Sequence, residues 1–294
     1  MNKKLKSLLV LTFTASILWT NVAFASVTDQ PVSTTISSNS SIKSDNINQA
    51  QPINLTPQDI AEGKAKLILA DEYCKNKKTA ISSNSKTSIS QSATGWGGSN
   101  YLAVPYRVES PNWCGEASAQ EAIFYKLPDY ADESQCPLYG MRPITQSNLA
   151  MSLGYSSGGG TPYGSLWTST LNTFMSANHY SLLYASSFPS DWKSHMENGI
   201  IYTVDKGYAV IVDTHMLSTT EGGASTPRVN SAYSYLDSRK RGCYHFIVAN
   251  GYNTSNGNDL IYITDCNDAP SFPHYYWCSA SSLAGVSAQY GIVY

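Results

Sequence analysis

The sequence predicts an α+β fold, with helices in the first half of its main domain and an antiparallel sheet in the second. Three observations carry this. The run "CGEASAQEAIFY" from Cys114 reads as a helix that stops at Pro128, because the residue before a proline is pushed out of the αR region. "YAVIVD" (208–213), "YHFIVANGY" (244–252) and "DLIYIT" (259–264) are strand-length runs rich in β-branched and aromatic residues. "NTSNGN" (253–258) is a turn signal between the last two, which makes them a hairpin. Helices before strands, without βαβ alternation, indicate α+β architecture.

The remaining elements follow in chain order. Lys3, Lys4 and Lys6, the apolar stretch "LLVLTFTASILW" and "AFA" before Ser26 form the pattern of a secretory signal peptide over residues 1–25. The apolar stretch is short for a bilayer span, and no later run reaches the ~18 apolar residues of a membrane helix. The mature chain is therefore expected to be exported, secreted or in the cell envelope, without a stable membrane span. Residues 26–95 form a Ser- and Asn-rich leader with one helix near 57–77, serving as a pro-segment or a spacer. Thr56 is its expected N-cap, Pro57 takes the first helical position, and Ala61, Ala65 and Ile68 make its apolar face. Residues 96–294 suffice for one well-buried domain. It should open on a strand near "YLAVPY", with helices over 114–127, 145–154 and 163–178 before the strands.

Charge narrows the partners. The chain has 19 basic and 21 acidic residues, and loss of the signal leaves 16 basic residues and a net charge of −5. Nucleic-acid binding leans on Lys and Arg, so no nucleic-acid partner is expected. No cofactor or metal is expected either: "HME" (195–197) lacks zinc-site spacing, and "NTSNGND" resembles a calcium loop only superficially. Six cysteines in an exported chain indicate disulfides. Candidate bridges join Cys243 to Cys266 or Cys278, and Cys74 to Cys136.

One cysteine has another reading. Cys114 sits at a helix start, where unpaired N–H groups and the macrodipole favour negative charge and lower a thiol pKa. A nucleophilic thiol needs a base, and His245 is held on a strand, whereas His179 and His195 are not. His215, ending "YAVIVDTH", is the competitor, and His274 in "FPHYYW" reads as aromatic packing. If the hairpin turn centres at or just before Gly257, His245 falls near Asp265 or Cys266, so Asp265 can orient the imidazole, with Asn267 and Asp268 as alternatives.

"VPYRVESPNWCGEASAQEAIFY", "ITQSNLAMSLGYSSGGGT" and "YHFIVANGYN…LIYITDCND", in that order, resemble papain-like cysteine peptidases of the bacteriocin-processing-peptidase-like group. The resemblance implies a papain-like fold, with the helix carrying Cys packed on the sheet carrying His and Asp. It assigns Cys114 as nucleophile, His245 as base and Asp265 as orienting acid. Glu109, Trp113 and Gly115 become oxyanion or substrate-binding residues, and "SSGGGTPYGS" a lid or rim. Two positions depart from the pattern: Val108, with Glu109 one later, stands where Gln is usual, and Glu116 where Pro is usual. The expected activity is an exported cysteine peptidase on a peptide or protein substrate. The alternatives are a cysteine amidase acting on cell-wall cross-links and a non-catalytic exported binding domain on the same scaffold.

Overall fold

The computed structural model describes residues 53–84, 98–131 and 143–294. In chain order these form β1 (Ile53–Asn54), α1 (Pro57–Asn84), β2 (Ser99–Tyr101), α2 (Cys114–Lys126) and α3 (Gln146–Leu153). Next come β3 (Tyr163–Gly164), α4 (Ser165–Phe174), β4 (Leu182–Tyr184), α5 (Trp192–Asp205) and β5 (Val210–Met216). The chain continues through α6 (Thr219–Gly222), α7 (Tyr235–Arg239), β6 (Cys243–Asn253), β7 (Leu260–Thr264), β8 (Tyr275–Ser279), α8 (Ala280–Ser287) and β9 (Gly291–Val293). The signal segment, most of the Ser-rich leader and Cys136 lie outside the described residues.

The architecture is α+β. A seven-stranded antiparallel sheet runs in the order β4-β9-β5-β6-β7-β8, with β2 added beside β6. β6 is its spine. From His245 to Tyr252 every residue is buried, so both faces of the strand are covered, which explains its almost unbroken apolar sequence. α2 lies along β6 and β5, and α5 packs against the same two strands. α2 is buried over its whole length from Cys114 to Phe124, including Glu116 and Glu121. Small residues at 115, 117, 118, 119 and 122 let the neighbouring elements close in around it.

The 57–77 expectation corresponds to a longer helix whose buried stripe differs from the predicted one. Thr56 caps α1 as expected: its Oγ1 accepts the Asp59 N–H at 3.2 Å, and the Asp59 carboxylate accepts the Thr56 N–H at 2.8 Å. Ala61, Ala65 and Ile68 face solvent, with Ile68 67% exposed. Asp59, Gly63, Leu67, Ala70 and Cys74 turn inward at helical spacing. Gly63 explains the choice of face. A Cβ there would sit 1.8 Å from the Leu182 carbonyl oxygen, so only glycine lets α1 approach β4 this closely. Tyr294 Oη donates to the Gly63 carbonyl at 2.8 Å, Asn198 Nδ2 to Asp71 at 2.6 Å, and Lys77 pairs with Asp205 at 2.5 Å.

Two further expectations shift. The first strand of the main domain occupies Ser99–Tyr101 and shares only Tyr101 with "YLAVPY", whose remainder belongs to no strand. The proposed disulfides are absent among the described residues, where Cys74, Cys114, Cys243, Cys266 and Cys278 are free thiols. The register shows why. Cys243 sits opposite Met216 of β5 and Cys278 opposite Ile261 of β7, so they belong to different parts of the sheet. Cys266 Sγ points beneath α2, 3.5 Å from the Cys114 carbonyl oxygen and 3.7 Å from that of Phe246. No helix among the described residues is long and apolar enough to cross a membrane.

Candidate active site

Cys114 opens α2 after a tight turn. Trp113 N–H donates to the Ser110 carbonyl at 2.9 Å, and Asn112 takes a left-handed conformation with φ of 67°, which Asn tolerates better than most side chains. Trp113 is the N-cap residue and offers no side-chain cap, so the first-turn N–H groups of α2 are left for other partners. Trp113 meets Tyr155 edge-on at 5.9 Å. Gly115 is required by packing. An added Cβ would lie 2.9–3.0 Å from the Thr161 side chain, so the threonine ending the Gly-rich loop sits hard against the helix start.

His245 and Asp265 meet where the hairpin ladder ends. The β6–β7 register closes at Val248↔Thr264 after an irregularity between Ala249 and Gly251. The registers that would put His245 directly across from Asp265 or Cys266 are therefore not the ones adopted. Asp265 instead follows β7 and turns its carboxylate to His245, with Nε2 and Oδ1 2.8 Å apart. Asn267 N–H donates to the same oxygen at 3.1 Å, and Tyr233 and Tyr276 hydroxyls donate to Oδ2 at 2.8 and 2.6 Å. Four donors thus hold a carboxylate with no solvent exposure.

This arrangement sets the charges. Burial alone would push the Asp265 carboxyl up, but the His245 charge and the hydrogen bonds from His245, Tyr276 and Tyr233 hold it below the usual range. Burial would likewise push His245 down; negative charge at Asp265, then at Cys266 and Cys114, holds the imidazole well above its ordinary value. Cys114 is buried, 9% exposed, and burial raises its thiol, opposed by the nearby His245 charge. The Cys114 sulfur and an imidazole nitrogen lie within 4.8 Å of each other, and Asp265 stands behind the imidazole.

Glu109 completes the cluster. Its N–H donates to the Cys266 carbonyl at 3.2 Å, which fastens the segment before Cys114 to the chain after β7. Gln146 pins the same segment from α3: Oε1 accepts the Ser110 N–H at 2.9 Å and Nε2 donates to the Val108 carbonyl at 2.8 Å. Burial pushes Glu109 up to about 7, against the pull of His245. Its carboxyl, the Cys114 sulfur and an imidazole nitrogen lie within 4.8 Å of one another.

The competing residues are elsewhere engaged. His215 stacks on Tyr244 at 4.0 Å and meets Gln289 through Nδ1 at 2.8 Å. His274 stacks on Tyr106 at 3.8 Å, as its aromatic setting suggested. Asn267 meets the site through its backbone N–H, and the charge of Asp268 bears on Glu109. Sequence reasoning missed Tyr233 and Tyr276, which fix Asp265, and Gln146, which fixes the 108–110 backbone. Tyr276 had a readable signal, since it takes an inward position in the alternating run "YYWCS". Tyr233 lies in a short helical turn with no periodic cue.

A thiol at the head of a buried helix, against an imidazole and carboxylate on an antiparallel sheet, is the layout of a papain-like cysteine peptidase fold. Residues 101–292 match the Peptidase C39 like family, and the chain belongs to that family. α1 precedes the matched region. No curated protein matches the chain.

Proposed function

We propose that the protein is an exported cysteine peptidase in which Cys114 attacks a peptide carbonyl, His245 moves the proton and Asp265 orients His245. The observation that carries this reading is the placement of the Cys114 sulfur within 4.8 Å of an imidazole nitrogen of His245, whose Nε2 meets Asp265 Oδ1 at 2.8 Å. Asp265 occupies Nε2, which leaves Nδ1 to share the thiol proton. Cys114 Sγ then bonds to the carbonyl carbon, and the oxygen takes the negative charge. The N–H of Cys114 and a protonated Glu109 stabilise that charge. The C–N bond breaks as His245 gives its proton to the leaving amine, leaving a thioester on Cys114. Water, deprotonated by His245, releases the acid and restores the thiol. Export rests on the signal-peptide pattern of residues 1–25.

The burial of Cys114 does not argue against this role. A thiol raised by burial gains most from an adjacent imidazolium, because the charge pair forms in a medium that screens it poorly. Helix α1 is proposed to be a built-in brace of the domain rather than an inhibitory pro-segment, because it packs on α5 and β4 through Gly63, Leu67 and Ala70. The test of the catalytic reading is covalent capture by a peptide carrying a thiol-reactive electrophile. Cys114→Ala and His245→Ala should each abolish capture, and either variant labelling at the wild-type rate would sink the mechanism.

A further inference from the structure

Amide hydrolysis does not by itself require a carboxylate beside the thiol, yet Glu109, Cys114 and His245 converge, each offering a donor atom within 4.8 Å of the other two. We infer that these three side chains form a binding site for a soft divalent cation, zinc foremost, which caps the thiol reversibly. Thiolate, imidazole and carboxylate are the donors zinc takes, at about 2.3, 2.0–2.1 and 2.0–2.2 Å. Those bond lengths put tetrahedral donor atoms roughly 3.3–3.7 Å apart, so the cluster needs to contract by only about 1 Å. The Glu109 side chain has the torsional freedom to supply that movement.

The surroundings favour this trio. A zinc-bound imidazole works best when its second nitrogen is held by a carboxylate, and Asp265 already holds Nε2 at 2.8 Å. Asp265 is itself fixed by Tyr233, Tyr276 and Asn267, so the ring is oriented before any ion arrives. A second trio, His245, Asp265 and Cys266, is equally compact. There the cation would have to break the His245–Asp265 bond and draw Asp265 off the groups that hold it. The Glu109 trio costs no such bond. Binding releases the Cys114 thiol proton to solvent, with any proton on Nδ1 or on Glu109. The protein then supplies three ligands and water a fourth. This site stands apart from the peptidase reading, because it needs the donors and not turnover.

The test is a titration of the mature full-length protein with zinc chloride against a chromophoric chelator, without substrate. The wild type should bind one zinc, and magnesium chloride at equal concentration should not displace it. Glu109→Gln removes the anionic ligand at nearly constant shape and should weaken binding at least about tenfold, with an unchanged circular dichroism spectrum. As a second readout, zinc should protect Cys114 from alkylation by iodoacetamide, with the adduct located by peptide mass, and EDTA should restore it. Unaltered affinity in Glu109→Gln, or alkylation of Cys114 undiminished by saturating zinc, would overturn the proposal. A protein that binds zinc but captures no electrophilic peptide would remove the peptidase reading alone.

Discussion

At the scale of single residues, the account turns on which protons sit where. Glu109 titrates at about 7, and its protonated form is the one that can donate to an oxyanion. Its ordinary value is 4.5, so the proton is retained through mild acid and lost as pH rises through 7. Cleavage by the wild type should therefore fall across that range. Glu109→Gln keeps a donor that does not titrate, so its kcat/KM should hold level from pH 6 to 8 and exceed the wild type at pH 8. One unit above the pKa leaves about a tenth of the carboxyl protonated, which sets the size of the gap at about tenfold. A parallel decline in both proteins would remove Glu109 from the chemistry. Asp265→Asn tests the next link. Without the anion, His245 should drop from well above its ordinary value towards 6.5, read by NMR titration, and covalent capture should slow at least about 100-fold.

At the scale of elements, α1 and the hairpin make separate predictions. Leu67 is 4% exposed on the buried stripe of α1, so Leu67→Ala should cost about 2–5 kcal/mol in denaturant unfolding. Ile68→Ala, one residue on and 67% exposed, should change stability by less than about 0.5 kcal/mol. Deleting residues 26–95 should lower the unfolding temperature without raising the rate of electrophile capture; a faster capture would restore the pro-segment reading. The pair of positions also shows what the sequence made legible. Ala61, Ala65 and Ile68 looked like the inward face because they are apolar. The choice was made by Gly63, which has no side chain to score and lets β4 come close. The hairpin was readable, since "YHFIVANGY" and "DLIYIT" flank a strong turn. Its register was not, because an irregularity at Ala249/Gly251 leaves no mark in composition. Cys114, His245 and Asp265 were proposed from local motifs, and the structure brings them together. Tyr233 and Gln146 act across the fold, where no local spacing points to them, whereas the alternation of "YYWCS" marks Tyr276 as inward without naming its partner.

At the scale of the whole molecule, the buried carboxyls give the fold an acid-side bias. Burial pushes Glu116 up to about 7, and Glu121 and Asp213 well above their ordinary values. Glu116 has no solvent exposure; one carboxyl oxygen accepts from Thr161 at 2.8 Å and the other has no hydrogen-bond partner. A raised folded-state value means stability fully present below about 4.5, falling as pH rises to 7 and level above it. Glu116→Gln should match the wild type near pH 5 and exceed it at pH 8 by on the order of 3 kcal/mol, measured by urea unfolding. Asp265 runs the other way: its value is lowered, so its contribution is present above the ordinary carboxylate range and lost in stronger acid. Stability should therefore peak in mild acid. The central claim, that Cys114 is a nucleophile driven by His245, is tested most directly by intact-mass analysis after brief exposure to an electrophilic peptide. The account predicts one adduct, on Cys114, absent in Cys114→Ala and in His245→Ala. A wild-type protein that stays unmodified, or a His245→Ala variant modified just as fast, would contradict it.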